Sequence, residues 1–248
     1  MFDTSTPQAA AEPDPLPVPI VALDVSGARE AMALVERLPR ADFFKVGLQL
    51  FSTAGPLVVR ELRQMGRRVF LDLKLHDIPN TVAGAVEAAA EMDVQLLTVH
   101  AAGGSAMMRA ARSAAGARAG GGPELMAVTV LTSLSPEELA ETWGRDSLQA
   151  PVEAARLSCL AAEAEMDGVV TSVHEVSAIR ALTEGSLKVL TPGIRFSDGA
   201  AGDQTRVATP ADAAALAVEY LVIGRAVTAA SDPGAAFERL LRELEQSE

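Results

Sequence analysis

From Ile20 onward the chain alternates, eight times over, short β-rich runs with longer stretches whose apolar residues recur at helical spacing. Strands are expected at about residues 20–24, 43–46, 69–74, 96–100, 125–131, 168–171, 187–191 and 220–223. Helices are expected between them, for example over residues 29–38, 57–65, 81–92 and 104–119. Such alternation argues for βαβ units in a parallel sheet, and eight units close a (β/α)8 TIM barrel, an α/β fold. A chain of 248 residues with 49% hydrophobic content supports one large core of that kind. The alternative, a doubly wound open sheet, would favour a glycine-rich dinucleotide turn after the first strand. Asp24-Val25-Ser26-Gly27 is not that G-x-G-x-x-G pattern. Residues 1–19 hold Pro7, Pro13, Pro15, Pro17 and Pro19 and read as a flexible tail, leaving 20–248 as a single barrel domain.

Polar or glycine-containing residues collect directly after these runs: Asp24, Lys45, His100, Thr132, Ser172, Pro192-Gly193 and Gly224-Arg225. In a barrel those are the C-terminal strand ends, where the βα loops build a site. The third run is the most informative, because Val69 to Leu75 is apolar except for Asp72 and Lys74, and Asp77 follows at the turn before Ile78-Pro79. Strand alternation points Asp72 and Lys74 one way and Leu71, Leu73 and Leu75 the other. A lysine between two carboxylates stays protonated, so Lys74 is expected to act as an acid rather than a nucleophile. A buried ion pair fixing register is the plain structural reading of an isolated Asp-x-Lys-x-x-Asp. The excess carboxylate, with Asp24 and Lys45 nearby in the pattern, tips it toward function.

The formal net charge of −12 disfavours nucleic acid or a membrane surface as a partner, since each would present negative charge to a negative protein. A small phosphorylated ligand then requires a local basic pocket. Arg195, in Thr191-Pro192-Gly193-Ile194-Arg195, follows strand seven, and Arg225, in Val222-Ile223-Gly224-Arg225, follows strand eight. Barrels often bind phosphate at these two loops, and an arginine in each offers paired donors. The long irregular stretch from Arg195 to Arg206 reads either as a lid or as an ordinary surface loop.

Cys159 is the only cysteine, which excludes an internal disulfide and fits a reducing cytoplasm. The amino-terminal residues have neither the basic start nor the apolar core of an export signal, and no run reaches the roughly 18 apolar residues of a membrane span. Of the three scattered histidines, His76 reads as a packing or capping residue, His100 either lines the site or is structural, and His174 receives no role. No histidine- or cysteine-based metal set is visible, although Asp24, Asp72 and Asp77 remain conceivable magnesium ligands.

Together these motifs resemble the orotidine 5′-phosphate decarboxylase family. The resemblance runs from about residue 20 to the C-terminal region and is carried by Phe70-Leu71-Asp72-Leu73-Lys74-Leu75-His76-Asp77-Ile78-Pro79-Asn80-Thr81. It continues through Val21-Ala22-Leu23-Asp24, Lys45-Val46-Gly47, Val99-His100-Ala101, Val130-Leu131-Thr132-Ser133, Gly202-Asp203-Gln204 and the two arginine loops. It implies decarboxylation of orotidine 5′-monophosphate to uridine 5′-monophosphate, in pyrimidine biosynthesis, without metal or organic cofactor. It also implies a cytoplasmic homodimer. By the same resemblance Lys74 is the proton donor, Asp72 lies beside the substrate carboxylate, and Asp77 and Thr81 complete the neighbouring subunit's site. Asp24 and Lys45 match ribose contacts, Lys45 also joining the charge array. Thr132 matches a pyrimidine contact, and Gln204, Arg195, Gly224 and Arg225 match phosphate and lid contacts.

Three rivals remain at this point. Related barrels that act on sugar phosphates share Asp-x-Lys-x-x-Asp and use Mg²⁺ with an enediolate; the Ile78-Pro79-Asn80-Thr81 continuation and Asp203-Gln204 favour the nucleotide enzyme. A Schiff-base aldolase needs a neutral amine, which flanking carboxylates oppose. A noncatalytic nucleotide-phosphate barrel would keep Arg195 and Arg225 but tolerate loss of Lys74.

Overall fold

In the computed structural model, which describes residues 16–118, 120–198 and 208–246, eight parallel strands form one closed ring in sequence order. They are β1 (Val18–Ala22), β2 (Phe43–Gly47), β3 (Arg68–Leu75), β4 (Leu96–His100), β5 (Glu124–Val128), β6 (Gly168–Val170), β7 (Lys188–Ile194) and β8 (Tyr220–Ile223), with β8 pairing back onto β1. The ring is the expected TIM barrel.

Side chains alternate along each strand and so divide the core in two. Ile20, Ala22, Phe43, Phe70, Leu96, Met126, Val128, Val170, Leu190 and Val222 point inward and fill the barrel. Their neighbours Val21, Phe44, Leu71, Leu97, Val99, Val169 and Leu221 point outward and pack against the helices. Phe70, 1% exposed, belongs to this inner set, and its truncation to alanine would cost about 3–5 kcal/mol. At the amino-terminal end Tyr220 donates to Glu124 at 3.0 Å, Lys188 pairs with Glu124 at 2.6 Å, and Arg68 lies over the Phe43 ring. This polar plug closes the barrel floor.

Local signals explain most boundaries. Helix Pro136–Thr142 starts from Ser135, whose hydroxyl accepts from Glu138 N–H while Glu138 accepts from Ser135 N–H, a reciprocal cap. Helix Pro79–Glu91 begins with proline in its first turn, where no intrahelical donor is lost.

Several expectations shift. Val18 and Pro19, assigned to the tail, belong to β1 and pair with Tyr220 and Leu221. The fifth strand ends at Val128, short of residue 131, and the seventh runs on to Ile194 across an irregularity between Thr191 and Ile194. Gly193 has φ +81° at that irregularity, a conformation open to glycine. The third strand is not regular either. Leu71 pairs with Leu97 but Leu75 pairs with Val99, so β3 advances four residues while β4 advances two. A bulge with two extra residues lies between them, and Lys74 inside it has φ +51°.

Candidate active site

The site follows from carrying each inward series one step beyond the apolar core, toward the carboxyl ends of the strands. Two residues past Ala22 is Asp24, past Phe43 is Lys45, past Phe70 is Asp72, past Leu96 is Thr98 and past Val222 is Gly224. Most of these polar positions open into a cavity of about 450 Å³ lined on its floor by Phe70, Val128, Val170 and Leu190. Its walls are Asp24, Lys45, Asp72, Lys74, Thr132, Ser133, Arg195, Gly224 and Arg225. The volume suits a ligand of nucleotide size.

Four charges alternate across one side of this cavity. Lys45 Nζ lies 3.0 Å from Asp24 Oδ1 and 3.6 Å from Asp72 Oδ2, and Lys74 Nζ lies 2.7 Å from Asp72 Oδ1. The Lys45 and Asp72 side chains are largely but not fully buried, Lys74 is about one-third exposed, and Asp24 sits at the rim. Burial alone would raise the Asp72 pKa. The charges of Lys74 and Lys45, with hydrogen bonds from Lys74 and Thr98, outweigh it and hold the carboxyl below its ordinary value. Asp72 is therefore ionised at neutral pH, and a cation faces each of its oxygens. Gly47 leaves room for this packing, because a Cβ there would stand 2.8 Å from the Lys45 ammonium and displace the tip of that side chain.

Thr98 was not singled out in the sequence. Its hydroxyl accepts from Lys74 N–H at 2.9 Å and donates to Asp72 Oδ1 at 3.0 Å, and the residue is 1% exposed. The available signal was its inward register, two residues past Leu96 on the strand beside Asp72. Ser133, also on the cavity wall, was quoted within a motif without a role.

The expected arrangement around Lys74 needs correcting. Among the described residues its ammonium pairs with Asp72 alone, not with carboxylates on both sides. Asp77 is exposed and its Oδ1 accepts the Ile78 N–H at 2.6 Å, because the chain has already turned toward helix Pro79–Glu91. Neither Asp77 nor Thr81 lines the cavity of its own chain; both lie on an exposed edge with Ile78, 67% exposed. The common orientation of Asp72 and Lys74 also has another cause than simple alternation, since the Lys74 backbone is left-handed inside the bulge.

Arg195 and Arg225 both reach the cavity from the loops after β7 and β8, as expected, and so does Gly224. Just beyond Arg195, Phe196 is buried under the Arg239 guanidinium, 4.1 Å from the ring centroid. Arg239 also makes a two-pronged pair with Asp198 at 3.0 Å and contacts Glu243 at 2.7 Å. The arginine loop is thus fastened to the last helix, Pro233–Glu245. Gln204, and with it Asp203 and most of the expected lid, lies outside the described residues.

The histidines are elsewhere. His100 stacks near His76 with ring centroids 5.4 Å apart, and burial followed by the nearby His76 lowers its pKa. Ser172 caps the short turn Val173–Glu175 instead of entering the cavity. Among the described residues no group of three His, Cys, Asp or Glu side chains gathers in a metal-holding cluster. No helix among them is long and apolar enough to cross a membrane.

A family profile described as "Orotidine 5'-phosphate decarboxylase / HUMPS family" matches residues 17–240. A protein of Sodalis glossinidius named orotidine 5′-phosphate decarboxylase is 46% identical over 241 residues, covering 97% of this chain and 93% of that protein. One of the same name from Moorella thermoacetica is 48% identical over 231 residues, covering 91% of each. Among solved structures, orotidine 5′-phosphate decarboxylase from Lactobacillus acidophilus superposes with a TM-score of 0.81 at 36% identity, covering 93% of this chain and 99% of that one.

Proposed function

Because this chain belongs to the orotidine 5′-phosphate decarboxylase / HUMPS family, we infer that its alternating charge array carries out the decarboxylation of orotidine 5′-monophosphate to uridine 5′-monophosphate. The protein is an orotidine 5′-phosphate decarboxylase of pyrimidine biosynthesis. The observation carrying the residue roles is the unbroken order Asp24, Lys45, Asp72, Lys74 at the mouth of a nucleotide-sized cavity.

The reaction breaks the bond between a ring carbon and its carboxylate, leaving the electron pair on that carbon with no adjacent sink. Such a carbanion needs fixed positive charge and an immediate proton. The Lys74 ammonium supplies both: the pair takes a proton from Nζ, carbon dioxide leaves, and the neutral amine regains its proton from solvent. Asp72 holds that ammonium in place. It also stands where the substrate carboxylate is expected, and two like unit charges about 4 Å apart repel by roughly 4 kcal/mol at an effective dielectric near 20. Carbanion stabilisation is the larger contribution, since it acts only in the transition state. Lys45 and Asp24 take the ribose hydroxyls, Thr132 the pyrimidine, and Arg195, Gly224 and Arg225 the phosphate; Gln204 joins them. Phosphate binding far from the scissile bond then helps hold the array together.

Asp77 and Thr81 serve the site of a second copy in a homodimer, a reading supported by their exposure beside Ile78 and by neither lining the cavity of its own chain. The barrel, from β1 onward, is the single catalytic domain, and the enzyme works in the cytoplasm, in keeping with the lone Cys159. Decarboxylation here needs no metal or organic cofactor. Asp72 already has a lysine at each oxygen, which opposes its use as a divalent-cation ligand in the enediolate chemistry of sugar-phosphate barrels.

The decisive measurement is loss of the ultraviolet absorbance of orotidine monophosphate, with chelator present and with Lys74→Ala alongside. Turnover is expected to be indifferent to chelator and nearly abolished by the substitution. Chelator sensitivity would favour the metal-dependent reaction, and an active Lys74→Ala would reject the proton donor.

A further inference from the structure

We infer that Thr98 is a positioning residue for decarboxylation, its hydroxyl joining the Lys74 backbone to the Asp72 carboxylate so that ammonium and carboxylate are held in one fixed geometry. This rests on the reading of Lys74 and Asp72 given above, and it starts from the bulge in β3. Two extra residues between Leu71 and Leu75 remove Lys74 from the regular ladder with β4, so its N–H loses the carbonyl a regular strand would offer. A buried donor without an acceptor is costly, and a non-glycine residue at φ +51° is strained on its own account. Something must over-determine that conformation.

Thr98 supplies what the ladder does not. It stands on β4 at the level of the bulge, 1% exposed, and its Oγ1 accepts the Lys74 N–H at 2.9 Å. A hydroxyl has one proton to give, and here it goes to Asp72 Oδ1 at 3.0 Å, the same oxygen that receives the Lys74 ammonium at 2.7 Å. One side chain thus fixes both ends of the lysine: the backbone directly, and the ammonium through its carboxylate partner. Valine would keep the shape and lose both bonds, whereas serine would keep both. Thr98 itself is not among the residues lining the cavity, so its hydroxyl acts through Lys74 and Asp72.

The test compares Thr98→Val and Thr98→Ser with wild type for kcat, KM, affinity for uridine 5′-monophosphate and the pH profile of kcat. Thr98→Val is expected to lower kcat by on the order of tenfold to a hundredfold, leaving KM and nucleotide affinity within about threefold. Its acidic limb should also move to higher pH, because Asp72 loses a donor that keeps it ionised. Thr98→Ser should restore kcat to within about threefold of wild type. A Thr98→Val enzyme with wild-type kcat and pH profile overturns the inference. So does a uniform loss of kcat and nucleotide affinity that serine fails to rescue, which marks a merely structural role. Should the valine variant not fold, hydrogen exchange of the Lys74 amide in the wild-type protein decides: a protected amide supports the bond to Thr98, and free exchange refutes it. Wild-type protein without turnover would instead overturn the reaction itself, and the amide measurement would still judge the bond.

Discussion

Lys74 reaches back 2.7 Å to Asp72 from a left-handed backbone, so the ion pair at the centre of the site depends on a local distortion of β3. Removing the amine at Lys74→Ala should lower kcat by at least about a thousandfold, because proton donor and fixed charge go together. The distortion predicts a second effect, readable by urea denaturation: Lys74→Gly should be more stable than Lys74→Ala by about 1 kcal/mol, since only glycine adopts φ +51° without a Cβ penalty.

Asp72 has its pKa depressed in the fold, so its contribution to stability is present above the unfolded value of about 3.9 and is lost as pH falls through the lower folded value. Thermal melts of wild type and Asp72→Asn should therefore differ most above about pH 4 and converge below it. A gap that widens on acidification would contradict the assignment. At neutral pH the asparagine variant leaves Lys74 without its carboxylate and Lys45 with Asp24 alone, and turnover should fall by about a hundredfold or more.

Arg195→Ala and Arg225→Ala should each raise KM about tenfold to a hundredfold, as expected for loss of a charge-assisted bond to a phosphate dianion. Steady-state kinetics at two salt concentrations would check this, the wild-type KM rising with salt more steeply than either variant's. Equal KM values in wild type and both variants would remove the phosphate from this end of the barrel.

Subunit mixing tests the role given to Asp77. Lys74→Ala and Asp77→Ala proteins should each be nearly inactive, yet re-equilibrating them together should recover about a quarter of wild-type activity, since half of the dimers then carry one intact site. Absence of recovery, with dimers verified by sedimentation, would return Asp77 to a purely local role.

The barrel was legible because apolar periodicity and loop polarity both report the same eight units, and β4 and β8 fall at the expected residues. So were Asp24, Lys45, Asp72, Thr132, Arg195, Gly224 and Arg225, whose positions at or just beyond the carboxyl ends of strands follow from topology alone. The geometry at Lys74 was not. A bulge changes register without a glycine or proline to announce it, so uniform alternation gave the right face for the wrong reason. Thr98 was hidden for a related cause: its importance depends on which residue of β3 it opposes, a cross-strand fact that one strand's pattern does not contain. Asp77 looked like a second partner of Lys74 because proximity in sequence says nothing of the turn that carries it away.

The Arg239 clamp on Phe196 and Asp198 bears on how this enzyme is handled. Helix Pro233–Glu245 is fastened to the very segment that presents Arg195, so a purification tag, surface tether or truncation at the carboxyl end pulls on the cavity wall at Arg195. An attachment ahead of β1, whose first residues lie at the opposite mouth of the barrel, does not load that clamp.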